Sequence, residues 1–105
     1  MTDKRIVLST TGSEDEARKI ARHLVERQLA ACVNIVPQIE SIYSWQGKVE
    51  SSQEWLLLIK TTAERFPAVR DALLQLHSYE LPECIAIGVE DGSANYLQWI
   101  EDSMK

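Results

Sequence analysis

The chain has 105 residues, 45% of them apolar and 26% charged, the proportions of one globular domain rather than of a disordered or fibrous segment. Eleven Lys and Arg against sixteen Asp and Glu leave a net charge of −5. That balance excludes a broad nucleic-acid surface and a polybasic membrane contact, since both need clustered cations. Cys32 and Cys84 are too few for a disulfide framework, and no apolar run nears the roughly 20 residues that span a bilayer. The expectation is a single cytoplasmic domain over residues 1–105 without secretory signal, membrane or nucleic-acid partner.

Ile6, Val7 and Leu8 begin the chain as a short apolar strand, broken at Thr11 and Gly12. Ser13-Glu14-Asp15-Glu16 has the Ser-x-x-Glu spacing of a capping box, in which each side chain satisfies the other residue's backbone N–H. Ala17, Ile20, Ala21, Leu24 and Val25 then recur at helical spacing. Glu14 with Arg18, and Asp15 with Lys19, stand four apart in the favourable order for exposed ion pairs.

Beyond Gln28 the pattern becomes extended. Residues 31–49 read as one long bent strand or two collinear ones, with Pro37 marking a bulge, bend or edge. Tyr43, Trp45 and Val49 share one parity, and Ser51-Ser52-Gln53 reads as the turn into a strand centred on Leu56, Leu57 and Leu58. A second helix follows with Phe66, Val69, Ala72, Leu73 and Leu76 on its buried face and Pro67 in its first turn. The last strand runs from Cys84 to Val89, and Ser93 caps a terminal helix bearing Tyr96, Leu97 and Ile100.

The order β-α-β-β-α-β plus a C-terminal helix is an α+β, ferredoxin-like split β-α-β sandwich, with two helices on one face of an antiparallel sheet. A long hairpin bearing Tyr43 and Trp45 lacks cover within its own chain. Association into an oligomer supplies that cover.

The blocks Leu29-Ala30-Ala31-Cys32-Val33-Asn34, Ser41-Ile42-Tyr43-Ser44-Trp45-Gln46-Gly47-Lys48-Val49, Leu57-Leu58-Ile59-Lys60-Thr61-Thr62 with Glu54, His77-Ser78-Tyr79-Glu80-Leu81-Pro82-Glu83 and Asn95-Tyr96-Leu97-Gln98-Trp99-Ile100 occur in one order and register. In this the chain resembles the CutA divalent-cation tolerance family over roughly residues 5–101. The resemblance implies a tight homotrimer with long hairpins between subunits, and a role with copper and other divalent metals. Three positions depart from the family pattern. Ser78 stands where the family usually has Pro, which leaves the loop looser by freeing His77 from the pre-proline restriction. Ser9 and Leu76 stand where some bacterial members carry proposed copper ligands, a Cys and the first of a His pair. Only His77 is kept.

The remaining imidazole and thiolate donors have ordinary explanations. His23 falls off the apolar stripe of the first helix, and Cys32 and Cys84 sit among apolar neighbours where free cysteine packs as an inert small side chain. His77 ends the second helix with Glu80 and Glu83 nearby. It is either a cap of the helix C-terminus or a metal ligand completed by another chain. Tyr43, Trp45, Tyr79, Glu80 and Glu83, with Lys60 as an added charge, are candidates for an intersubunit ligand cleft; the competing reading makes Tyr43 and Trp45 interface anchors. Trp55 and Trp99 read as packing or trimer contacts. No nucleophile–base pair or phosphate-cradling loop is legible, so the chain does not read as an enzyme.

The favoured function is therefore a trimeric divalent-cation tolerance protein with weak copper or divalent-metal binding at intersubunit sites that include His77. The alternatives are a PII-like regulatory trimer binding a small ligand in its clefts, and a non-catalytic trimer that anchors a protein partner.

Overall fold

The computed structural model describes residues 1–105. In chain order the elements are β1 (Lys4–Thr11), α1 (Glu14–Glu26), β2 (Cys32–Trp45), β3 (Lys48–Thr62), α2 (Phe66–Leu76), β4 (Ile85–Gly88) and α3 (Ala94–Ser103). The strands form one antiparallel sheet in the order β2-β3-β1-β4. This is the expected α+β order.

Helix α1 forms where its apolar stripe predicts, with Ala17, Ile20, Ala21 and Leu24 buried. Ser13 is extended and its Oγ accepts from the Glu16 N–H at 3.2 Å, which closes one half of the capping box. The other half is absent. The Glu16 carboxylate turns instead to the far end of α2, where its Oε2 accepts from the Ser78 N–H at 3.2 Å. Glu14 and Arg18 meet at 2.5 Å, worth about 0.3–0.5 kcal/mol at an exposed position.

The hairpin differs from the sequence reading in one important respect. The turn lies at Gln46 and Gly47, and Ser51, Ser52 and Gln53 continue β3 opposite Ile42, Ser41 and Glu40. Gln46 and Gly47 both have positive φ, 52° and 81°, as the primed two-residue hairpin turn requires to match strand twist. Glycine adopts this freely, whereas two serines gain nothing from it. Because the turn intervenes, Val49 pairs with Ser44 and not with the parity of Tyr43 and Trp45. The expected bulge at Pro37 is present: the register shifts between Val36 and Ile39, and Gln38 adopts a φ of 57°.

Strand β1 pairs with β3 only as far as Trp55, so residues 48–54 pair with β2 alone. Seven residues at about 3.3 Å each give an overhang of roughly 20 Å. The molecule is accordingly elongated, 44 × 26 × 22 Å.

The core lies between one sheet face and the two longer helices. Val7, Leu57 and Ile59 from the sheet meet Ala17, Ile20 and Leu24 of α1 and Val69, Ala72 and Leu73 of α2. Helix α3 closes one end, where Ile100 and Met104 pack on Ala31 and Lys4 reaches Glu101 at 2.8 Å. The opposite face of the sheet carries Ile6, Leu8, Leu56 and Leu58 half-buried, and Ile85 and Ile87 exposed. No helix layer covers it.

Ile59 has no exposed surface. Truncation by Ile59→Ala is expected to cost about 2–5 kcal/mol through lost transfer energy and a residual cavity. Equilibrium urea denaturation at matched protomer concentration checks this; a change below about 1 kcal/mol would mean that the two layers repack freely.

Candidate functional site

Beside the hairpin overhang, the loop of residues 77–83 passes from the end of α2 to the sheet edge and leaves a groove of about 620 Å³. Tyr43 and Trp45 of β2 line one part of it, Glu54 of β3 another, and Tyr79, Glu80 and Glu83 the loop side. Five of the six residues expected in a cleft thus share one groove. Lys60 does not. It shares strand parity with Glu54 but lies six residues further along β3, about 20 Å away at strand rise. Its Nζ contacts Asn34 Oδ1 and stands 3.6 Å from the Cys32 thiol.

The loop is held by a chain of hydrogen bonds that begins at His77. The His77 side chain is fully buried. Its Nε2–H donates to the Thr10 carbonyl at 2.6 Å, and its Nδ1 accepts from the Tyr79 N–H at 3.0 Å. These partners define the neutral tautomer with the proton on Nε2. The ring therefore ties the loop to β1 instead of capping α2, whose final bond is the His77 N–H to the Leu73 carbonyl. Beside it, the Ser78 N–H is tethered to Glu16. A proline at this position has no N–H to give, so the serine substitutes a hydrogen bond for a restricted backbone. The expected loosening at Ser78 is offset by this tether.

Tyr79 carries the chain into the groove. Its ring packs against His77, centroids 4.6 Å apart, and its hydroxyl donates to Glu54 Oε2 at 2.8 Å. Burial and the Glu54 carboxylate together push the phenol pKa far above its ordinary value, which keeps the hydroxyl a donor. Gly12 makes this placement feasible: a Cβ there would stand 3.0 Å from the Tyr79 hydroxyl oxygen. On the other wall, the Tyr43 hydroxyl pairs with Ser52 at 3.2 Å.

Three carboxylates converge without a cation. Glu54 is only 7% exposed, and its Oε1 has no protein donor. Glu83 has its pKa raised, first by burial and then by the negative charge of Glu54. No lysine, arginine or histidine lines the groove. Glu54 was absent from the sequence candidates because it heads an apolar strand run and reads as a strand terminus. The available signal was its parity with Leu56 and Leu58, at the point where β3 loses β1 as a neighbour.

The metal-donor inventory is sparse. No three His, Cys, Asp or Glu side chains gather within the chain to hold a metal ion. His23 is a half-exposed surface residue; Cys32 and Cys84 are unpaired and half-buried, and burial raises the Cys84 thiol. Ser9 is fully buried with its hydroxyl unpartnered. Both ring nitrogens of His77 already have partners, so a cation must displace one of them. Glu16 Oε1, buried and without a donor, lies 3.6 Å from Nδ1 and is the one acidic oxygen beside that ring.

Residues 5–103 match the family described as CutA1 divalent ion tolerance protein. The divalent-cation tolerance protein CutA of Thermus thermophilus is 48% identical over 100 residues, covering 95% of this chain and 97% of the relative. Human protein CutA is 50% identical over 91 residues, and the match spans about half of that longer protein, 51%. Among solved structures, the Thermus thermophilus protein superposes with a TM-score of 0.94 at 47% identity, covering 97% of this chain and 99% of the other. CutA from Xylella fastidiosa gives 0.96 at 43% identity, covering 99% and 100%. Relatives are described as periplasmic in Archaeoglobus fulgidus and chloroplastic in Arabidopsis thaliana. In this chain no helix is long and apolar enough to cross a membrane. The extent and identity of these matches make the chain a member of the CutA divalent-cation tolerance family.

Proposed function

We propose that the chain acts as a cytoplasmic homotrimer whose groove is a small-ligand site and whose metal binding is direct but weak. The observation that carries the trimer is the uncovered sheet face with Ile85 and Ile87 exposed on it, beside an overhanging aromatic hairpin. Three copies packed on these faces bury what one chain leaves to water. The unpaired Cys32 and Cys84 accord with a reducing compartment.

In this reading copper and other divalent ions are cargo. His77 takes part when a cation displaces the Tyr79 N–H from Nδ1, with Glu16 as its carboxylate neighbour. The lost hydrogen bond, typically about 1 kcal/mol net, opposes binding and keeps it weak. The groove is a second site, joined to His77 through Tyr79, and its aromatic walls and the raised pKa of Glu83 favour the ligand-binding form of the function over a purely structural trimer.

Native mass spectrometry during a titration with Cu²⁺, Zn²⁺ and Mg²⁺ tests the assembly and the cargo together. The expected result is a trimer that takes up a fixed number of copper ions before the other two metals bind. Graded adducts indifferent to the metal would keep the trimer and remove specific copper binding. Ile87→Glu should convert the trimer to monomers with little change in the monomer's own stability, within about 0.5 kcal/mol at so exposed a position. A persistent trimer would move the interface elsewhere.

Glu83 supplies a pH test. A carboxyl whose pKa is raised on folding binds its proton more tightly in the folded chain. Its contribution favours folding below the ordinary glutamate value and is lost as the pH rises through the raised one. Glu83→Gln should therefore stabilise the protein at pH 7 by less than about 1 kcal/mol, since solvent screens a half-exposed group, and not at pH 4. Equal effects at both pH values in thermal unfolding would exclude ionisation as the cause.

A further inference from the structure

We propose that the groove selects a small organic ammonium ion, an inference that rests on reading the groove as a ligand site and adds the class of ligand. Its walls combine two features that together suit such a cation. Tyr43, Trp45 and Tyr79 supply aromatic surface, which attracts ammonium groups through the negative face of the ring. Glu54, Glu80 and Glu83 supply the counter-charge.

Glu54 is what separates this groove from an ordinary acidic surface. It is more than nine-tenths buried and lines the cavity, yet its Oε1 accepts from no group of its own chain. That oxygen is not sealed in the core but opens on the groove, where an ammonium N–H can donate to it in a charge-assisted hydrogen bond. Anionic ligands are disfavoured by the same atoms. The groove has no basic side chain, and both tyrosine hydroxyls are already committed, Tyr79 to Glu54 and Tyr43 to Ser52. A nucleotide or phosphate would face three carboxylates with nothing to neutralise it. The volume, about 620 Å³, lies in the range of small-molecule pockets and exceeds what a bare inorganic cation needs.

Three probes of one shape and different charge test the inference: cyclohexylammonium, cyclohexanol and cyclohexanecarboxylate. Binding to the full-length protein is followed by isothermal titration calorimetry and by the Trp45 indole N–H resonance, assigned by its loss in Trp45→Phe. The expected result is a dissociation constant for cyclohexylammonium at least about tenfold below those of the other two, with the Trp45 resonance shifting. Glu54→Gln should weaken ammonium binding about tenfold or more, the effect of losing a charge-assisted hydrogen bond, while the neutral probe is unaffected. Near-UV circular dichroism and sedimentation confirm that the variant keeps its fold and assembly. Should Glu54→Gln misfold, Glu83→Gln carries the same test from the half-exposed side of the groove.

Equal affinity for all three probes, or tighter binding of the carboxylate, would overturn the ammonium assignment and leave the groove standing as a ligand site. If no probe moves the Trp45 resonance, both readings fall together, and a neighbouring copy of the chain fills the groove.

Discussion

A four-stranded sheet has two faces, and this chain carries long helices for only one of them. Helices α1 and α2 bury Val7, Leu57 and Ile59, and the short α3 reaches only one end. Everything on the other face follows from that shortage. Ile6, Leu8, Leu56 and Leu58 alternate with the buried set because strand side chains alternate by two, so an apolar second face comes with the sheet itself. Burial of such a surface contributes roughly 25 cal/mol per Å², which makes leaving it wet expensive for a domain of this size. The overhanging hairpin compounds the demand, since beyond Trp55 it has neither helices on its face nor β1 at its edge. A chain built this way leaves an apolar face and an aromatic hairpin without cover of their own.

The loop after α2 shows how the groove is made rigid without a larger core. Four hydrogen bonds, Ser78 to Glu16, His77 to Thr10, Tyr79 to His77 and Tyr79 to Glu54, tie consecutive loop residues to α1, β1 and β3. Each member fixes the next: the tautomer of His77 orients the Tyr79 backbone, and Tyr79 orients the Glu54 carboxylate. Buried networks of this kind are stable only when nearly all their members are satisfied. Here one buried atom is not, Glu16 Oε1, while Glu54 Oε1 has no protein donor but opens on the groove. Both are carboxylate oxygens, and they sit at the two ends of the chain. The two ends differ in their surroundings. At Glu16 the space is closed around a buried imidazole; at Glu54 it opens into an aromatic groove.

The sequence carried the fold well where a single periodicity decided the matter. Helix α1 is fixed by its apolar stripe and by Ser13, and the bulge by Pro37, which cannot join a ladder. The hairpin turn was harder, because Gln46-Gly47 lacks the Asn or Asp that usually marks such turns, while Ser51-Ser52-Gln53 has turn composition but extended backbone. Half of the capping box failed for a tertiary reason: Glu16 found the Ser78 N–H, 62 residues away, a better partner than its own helix. The groove was legible in Tyr43, Trp45, Tyr79, Glu80 and Glu83, which are distinctive residues on the elements that build it. Lys60 was misplaced and Glu54 missed for one reason. Parity tells which face of β3 a residue occupies but not how far along the strand, and the groove begins only where β1 ends.

The same geometry explains why a protein of a metal-tolerance family can look so poor in metal ligands. Soft divalent metals prefer imidazole and thiolate, and this chain offers two histidines and two cysteines in four separate places. His77 stands 3.6 Å from a buried carboxylate oxygen without a donor, and its imidazole already holds the loop in place. Under the proposed function, metal binding at that ring would compete with the ring's hold on the loop. A cation that took Nδ1 would release the Tyr79 N–H, and through Tyr79 would loosen the hold on Glu54. Ion binding at the buried end of the network would then weaken ligand binding at its open end, and by reciprocity a ligand that steadies Glu54 would disfavour the ion. Such coupling needs no movement of the core, only the exchange of one hydrogen bond at His77.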